Sequence, residues 1–100
     1  MAQAEYAFHY KKGENIVNGK MDLVFRTEDG GYVIVDYKTN RHVHPEIYYE
    51  QLACYREALS MMCGCPMEKI RCVLYYLRWG KDVDITSELK VESGKLKVER

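Results

Sequence analysis

The stretch GYVIVDYKTN, residues 31–40, decides how this chain folds. Its apolar run, residues 32–35, is rich in aromatic and β-branched side chains and therefore predicts a buried strand. Asp36 and Lys38 close that strand, although burying a charge is costly unless the charge is paired or binds a metal. Two interpretations of Asp-x-Lys are open at this point: a surface ion pair worth about 0–1 kcal/mol, and a functional pair.

Composition indicates one small folded domain, residues 1–100, because 47% of the residues are apolar and 30% are charged. The 15 basic residues balance 15 acidic ones. This balance counts against a nucleic-acid partner without excluding one, since a bound metal ion adds local positive charge. No apolar run approaches the ~20 residues of a membrane span, and no signal peptide is predicted, so we expect no membrane partner.

Hydrophobic patterning outward from the central strand predicts five strands and one long helix. The helix should begin at Pro45, which suits a first helical turn, and end at Gly64, which suits a left-handed stop. The predicted strands are residues 5–10, 16–26, 32–38, 70–78 and 83–85, and the helix is residues 45–63, with a further hairpin around Ser93 and Gly94. The order β-β-β-α-β-β indicates an α+β fold in which the long helix packs on a mixed sheet.

The turn between the second and third strands decides whether Asp22 and Asp36 meet. A three-residue loop, residues 29–31, would place Glu28 opposite Tyr32 and Asp22 opposite Lys38, with Asp36 diagonally adjacent on the same face. A glycine in that loop supplies the left-handed residue that such loops commonly need. A two-residue loop would instead put the two aspartates on opposite faces, so their convergence depends on the loop length.

Two carboxylates and a lysine on one patch have a defined chemistry. Carboxylate oxygens suit Mg²⁺ or Mn²⁺, and Mg²⁺ usually takes one or two protein carboxylates together with waters and phosphate oxygens. Such an ion activates water and neutralises charge on a phosphate under attack. A lysine can orient or deprotonate that water or hold a phosphate oxygen. The arrangement is typical of phosphodiester cleavage.

The helix carries a second polar feature. Gln51 and Tyr55 are four residues apart and therefore share one helical face. They are either part of an ordinary amphipathic helix or groups that reach the carboxylate patch and DNA.

Four cysteines are present, Cys54, Cys63, Cys65 and Cys72. Cys63 and Cys65 are too close together for the usual zinc pair, and no second pair follows. We therefore expect structural thiols rather than disulfides or metal ligands.

The stretches Gly19-Lys20-Met21-Asp22, Asp36-Tyr37-Lys38-Thr39 and Gln51-Leu52-Ala53-Cys54-Tyr55 together resemble the RecB-like branch of the PD-(D/E)XK nucleases. The greatest similarity is to the C-terminal nuclease domain of AddA/RecB-type helicase-nucleases, over roughly residues 4–85. The resemblance implies a restriction-endonuclease-like fold. It also implies that Asp22 and Asp36 ligate Mg²⁺ or Mn²⁺ with the backbone carbonyl of Tyr37, that Lys38 is catalytic, and that Gln51 and Tyr55 orient the site or touch DNA.

The same resemblance predicts a biological setting. It implies metal-dependent DNA end processing and recombinational repair in the bacterial cytoplasm, on single strands delivered by a helicase whose motor domains use ATP, with a second helicase-nuclease subunit as a possible partner. Family members begin with a helix that is missing before the first strand, so we expect this chain to be a fragment of a larger protein. An inactive nuclease-fold module that binds DNA or braces a complex, and a protein-interaction domain, are the alternatives.

Overall fold

The computed structural model describes residues 2–12 and 14–89, which form one five-stranded sheet with a helix packed on it. In chain order, the elements are β1 (Ala2–Lys12), β2 (Asn15–Arg26), β3 (Tyr32–Lys38), a 3₁₀ turn (Pro45–Tyr48), α1 (Tyr49–Cys63), a second 3₁₀ turn (Met67–Lys69), β4 (Ile70–Tyr76) and β5 (Lys81–Asp84). The strands lie in the order β1-β2-β3-β4-β5. β3 and β4 are parallel and the other neighbours are antiparallel. The predicted α+β order, β-β-β-α-β-β, is confirmed.

Several predicted boundaries differ from the structure. β1 is longer than predicted, and the helix begins as a 3₁₀ turn at Pro45 before continuing as α1. β4 ends at Tyr76 because residues 77–80 form a turn, and β5 is therefore Lys81–Asp84 rather than residues 83–85. Residues 86–89 are helical, and the hairpin predicted around Ser93 and Gly94 lies outside the described residues.

α1 ends where the sequence predicts. Gly64 adopts φ 67, and its N–H donates to the carbonyl of Ser60 at 2.9 Å. A left-handed residue that bonds back into the last turn is the usual helix stop, and glycine adopts it without a Cβ penalty.

The core lies between α1 and one face of the sheet. The face is formed by alternate residues of β3 and β4, since successive strand side chains point to opposite sides. Its fully buried members include Ile34, Ile70, Cys72, Leu74 and Tyr76, which pack with Leu52, Ala58 and Leu59 of α1. On this face of β3, Ile34 and Asp36 are buried, whereas Tyr32 and Lys38 at the two ends of the strand are half-buried. None of the helices described is long and apolar enough to cross a membrane.

The β2–β3 turn has the predicted length but not the predicted position. Residues 28–30 form the loop, and the N–H of Thr27 donates to the carbonyl of Gly31 at 2.9 Å. Gly30 is the left-handed residue, with φ 86. The pairing therefore runs from Arg26↔Tyr32 to Leu23↔Val35, two positions away from the predicted register.

Gly31 explains the shift. Its N–H donates to the side chains of Thr27 and Asp29, at 3.0 and 3.2 Å. A Cβ on Gly31 would lie 2.2 Å from the carbonyl oxygen of Lys69. Gly31 thus lies directly before β3, hydrogen-bonded to Thr27, where another backbone approaches closely, and not in the loop.

Candidate active site

Asp36 and Lys38 lie on the helix-facing side of β3. They are two residues apart and therefore share the face that carries Ile34. Asp36 is 5% exposed, and Lys38 is the last residue of its strand. The apolar run thus carries a carboxylate into the core and leaves an ammonium at the strand end.

Asp22 meets Asp36 directly and not diagonally. Continuing the register beyond Leu23↔Val35 places Asp22 opposite Asp36, whereas the predicted loop position placed it opposite Lys38. The error of two residues preserves the face because side chains alternate with a period of two. The two carboxylates therefore converge as predicted, by a different pairing.

The backbone of Tyr37 holds Asp22 in place. Its N–H donates to Oδ2 of Asp22 at 2.9 Å. A strand residue presents its N–H and its carbonyl to the same neighbouring strand, so the Tyr37 carbonyl also faces β2. The three groups predicted to hold a metal, namely two carboxylates and this carbonyl, thus belong to one junction between β2 and β3.

The environment of Asp36 opposes its ionisation. Burial raises the pKa of this carboxyl, the Lys38 ammonium lowers it in part, and nearby Asp22 raises it again. Nζ of Lys38 lies 2.8 Å from Oδ2 of Asp36. That oxygen is buried, so the Lys38 ammonium compensates a carboxylate that water does not reach.

These residues fit a hard divalent cation. The buried carboxylate of Asp36 is paired with Lys38 and lies beside the carboxylate of Asp22, and carboxylate oxygens are ligands that Mg²⁺ and Mn²⁺ take. Within residues 2–12 and 14–89, no group of three or more His, Cys, Asp or Glu side chains is placed to hold a metal. Mg²⁺ nevertheless commonly binds only one or two protein carboxylates, and its other ligands are waters and phosphate oxygens.

Tyr48 is a contact of Lys38 that the sequence interpretation missed. Its ring centroid lies 3.9 Å from Nζ of Lys38, and its hydroxyl accepts a hydrogen bond from Nδ2 of Asn40 at 2.6 Å. The ammonium is therefore held between a carboxylate and an aromatic face. Tyr48 precedes Gln51 by three residues, so extending the helical stripe one turn toward its start would have found it.

Gln51 and Tyr55 contact each other. Nε2 of Gln51 donates to the Tyr55 hydroxyl at 2.9 Å. Tyr55 is 8% exposed and belongs to the core between α1 and the sheet, whereas Gln51 is exposed. Their predicted roles in orienting the site or touching DNA stay predictions.

The cysteines occupy different environments. All four are free thiols; Cys65 and Cys72 are buried, Cys54 is half-buried and Cys63 is exposed. Burial raises the pKa of Cys72 to about 12, so this thiol is protonated and packs as an apolar side chain.

Comparison with known proteins agrees with this geometry. A family model described as the PD-(D/E)XK nuclease superfamily matches residues 2–97. A search of curated proteins finds no match to the chain.

Proposed function

The chain belongs to the PD-(D/E)XK nuclease superfamily, and from this premise we propose that it is a metal-dependent deoxyribonuclease module. Membership points to phosphodiester hydrolysis, and the mixed sheet with α1 packed on it agrees with a restriction-endonuclease-like fold. The observation that carries the proposal is the buried carboxylate of Asp36, which lies between Asp22 and Lys38. A surface ion pair would not bury a carboxylate against a second one.

We further propose that the module trims DNA ends as an exonuclease within an AddA/RecB-type helicase-nuclease. The support is the joint presence of the Gly-x-x-Asp, Asp-Tyr-Lys-Thr and Gln-x-x-x-Tyr motifs in this order. In that setting a motor would use ATP and deliver single strands. The zero net charge suits such a division of work, because the motor would hold the DNA and this module would cut it.

The roles of the residues follow from their positions. Asp22, Asp36 and the carbonyl of Tyr37 would hold Mg²⁺ or Mn²⁺. When bound, such an ion lowers the pKa of water and neutralises charge on the phosphate. Lys38 is positioned by Asp36 and Tyr48 to orient the attacking water or to hold a phosphate oxygen. The α1 side of the sheet excludes water from the buried half of the cluster, which strengthens its electrostatics.

Lys38→Ala tests the proposal. We expect cleavage of a labelled single-stranded oligonucleotide in Mg²⁺ to fall by roughly 10²–10⁴-fold. Lys38 lies at a strand end, and its truncation removes the ion pair with Asp36 but no fully buried side chain; circular dichroism checks that the fold survives. Asp36→Ala should also lose activity but regain part of it in excess Mn²⁺, because it removes a metal ligand.

Lys69→Ala is the matched control. Lys69 is exposed, and its Nζ donates to the carbonyl of Asp29 in the β2–β3 turn, at the other end of β3 from Lys38. This variant removes the same charge and should cleave at the wild-type rate. Cleavage by Lys38→Ala at the wild-type rate would reduce Asp-x-Lys to an ion pair at a strand end. A wild-type chain that binds the metal and DNA without cutting would support the inactive-module alternative.

A further inference from the structure

An exposed tryptophan lies beside the strand ends that carry the candidate site. Trp79 is the chain's single tryptophan and is 57% exposed. It sits in the turn of residues 77–80, which follows β4. The N–H of Leu77, at the start of this turn, donates to the carbonyl of Lys38 at 2.9 Å. The turn is thus bonded to the residue that ends β3.

The orientation of the Trp79 ring is fixed. Its indole N–H donates to the carbonyl of Arg41 at 3.0 Å, which joins the turn to the segment that follows β3. The turn is closed by a bond from the N–H of Trp79 to the carbonyl of Tyr76 at 3.1 Å and by Gly80 at φ 58. A large apolar ring is therefore held in solvent by polar bonds along its edge, which leaves ring surface uncovered.

The two segments that the Trp79 ring joins are rich in basic residues. Residues 39–44 and 77–81, which we name the basic rim, contain Arg41, Arg78 and Lys81, two histidines and no acidic residue. Acidic residues lie just outside it, at Glu46 and Asp82. This local excess occurs in a chain whose total charge is balanced, so the rim is a suitable place for a phosphate backbone.

We propose that Trp79 is a stacking platform for an unpaired base of single-stranded DNA, with the basic rim binding the adjacent phosphates. The inference rests on the proposed nuclease function and adds the contact that selects unpaired strands. An exposed aromatic face flanked by cations is the arrangement by which proteins hold single strands without reading their sequence. A base within a duplex is already stacked on its neighbours, so it offers no free face to the ring.

Tryptophan fluorescence tests the contact directly, because Trp79 is the single tryptophan and therefore the source of all tryptophan emission. The full chain is titrated in EDTA, which prevents metal-dependent cleavage, with a dT oligonucleotide, an abasic oligonucleotide of equal length, and a duplex. We expect strong quenching by dT alone, with tighter binding than to the other two. Equal quenching and affinity for the abasic strand would mean that only charge is recognised, and would overturn the proposal.

Variants measure the size of the contribution. Anisotropy of a labelled dT oligonucleotide should show that Trp79→Ala weakens binding by about 5- to 150-fold, whereas Trp79→Phe retains part of the affinity. Met61→Ala is the matched control, since Met61 is an exposed apolar residue of α1 that lies outside the basic rim, and it should bind as the wild type does. Normal binding by Trp79→Ala, with its fold checked by circular dichroism, would overturn the inference.

The two proposals fail separately. Lys69→Ala should bind dT as the wild type does, because Lys69 precedes β4 and lies at the opposite end of that strand from Trp79. If the wild-type chain binds dT through Trp79 but does not cleave it in Mg²⁺, the stacking proposal stands and the nuclease proposal is wrong. If Trp79→Ala cleaves and binds dT as well as the wild type does, the nuclease proposal stands and the stacking proposal is wrong.

Discussion

At the scale of single residues, Lys38 is held by two unlike partners. The carboxylate of Asp36 attracts its charge from one side, and the ring of Tyr48 offers a flat negative face on the other. A lysine with four rotatable bonds would otherwise sample many positions, so these contacts limit where its Nζ can meet a phosphate or a water. Under the proposed nuclease function, Tyr48 would therefore position Lys38.

Tyr48→Leu should slow cleavage by about 2- to 30-fold, the range that a cation–π contact accounts for. The loss should appear in kcat more than in KM, because the substrate does not depend on Tyr48 for binding. Tyr48→Phe keeps the ring and loses only the hydrogen bond from Asn40, so its kcat should stay near that of the wild type. Equal losses in both variants, measured by initial rates on an oligonucleotide, would show that the hydroxyl and its hydrogen bond from Asn40 matter rather than the ring face.

At the scale of elements, the β2–β3 hairpin determines which residues face Asp36. The loop length and the need for a left-handed glycine could be read from the sequence, because Asp29, Gly30 and Gly31 are typical turn residues. The sequence does not show which of the two glycines adopts the left-handed backbone. Gly31 is required by the approach of the Lys69 backbone, a contact between segments far apart in sequence that no local pattern contains.

Replacing each glycine in turn by asparagine distinguishes the left-handed backbone required at Gly30 from the close backbone approach at Gly31. Gly30→Asn should change the free energy of unfolding by only about 0.5 kcal/mol, since asparagine tolerates a left-handed backbone and the space there is open. Gly31→Asn should cost about 1–3 kcal/mol, because its Cβ meets a carbonyl oxygen. Urea denaturation measures both, and similar losses at the two positions would contradict this account of the turn.

Elements whose boundaries depend on local sequence were predicted correctly, whereas features that depend on contacts between distant segments were missed. The residues of β3 and the end of α1 at Gly64 follow from the apolar run and the glycine stop, and both were predicted correctly. β4 was predicted to continue to Arg78, but it ends at Tyr76 because Trp79 and Gly80 close a turn. Trp79 is held by Arg41 from another segment, so its fixed ring was not evident from the sequence, and Tyr48 was missed because its partner, Lys38, lies on β3.

At the scale of the whole molecule, the cluster should couple metal binding to stability. Burial of Asp36 beside Asp22 places like charges in a poorly solvated site, which opposes folding. A cation that binds only the folded chain stabilises it by about 2.7 kcal/mol at 100 times its Kd. We therefore expect the melting temperature to rise with Mn²⁺ or Mg²⁺ concentration.

Asp36→Asn should abolish that rise because it removes a charged ligand while keeping the shape of the side chain. Glu68→Gln is the control: Glu68 is exposed and lies in the second 3₁₀ turn, away from the cluster, and the variant should respond to the metal as the wild type does. Thermal melts at several metal concentrations make the comparison. A full response in Asp36→Asn would place the metal elsewhere.

The sheet contains both antiparallel and parallel strand pairs, and this affects the sequence in which the strands assemble during folding. β1, β2 and β3 are joined by short turns and pair antiparallel, whereas β3 pairs with β4 only across the whole segment that contains α1. Closing that long segment costs entropy before any contact compensates it, so we expect the three-strand meander to form first. Pulsed hydrogen exchange during refolding should then protect amides of β2 and β3 before those of β4. Asp22 and Asp36 would thus meet while still hydrated, and Asp36 would lose its water only when α1 docks, at the last step of folding.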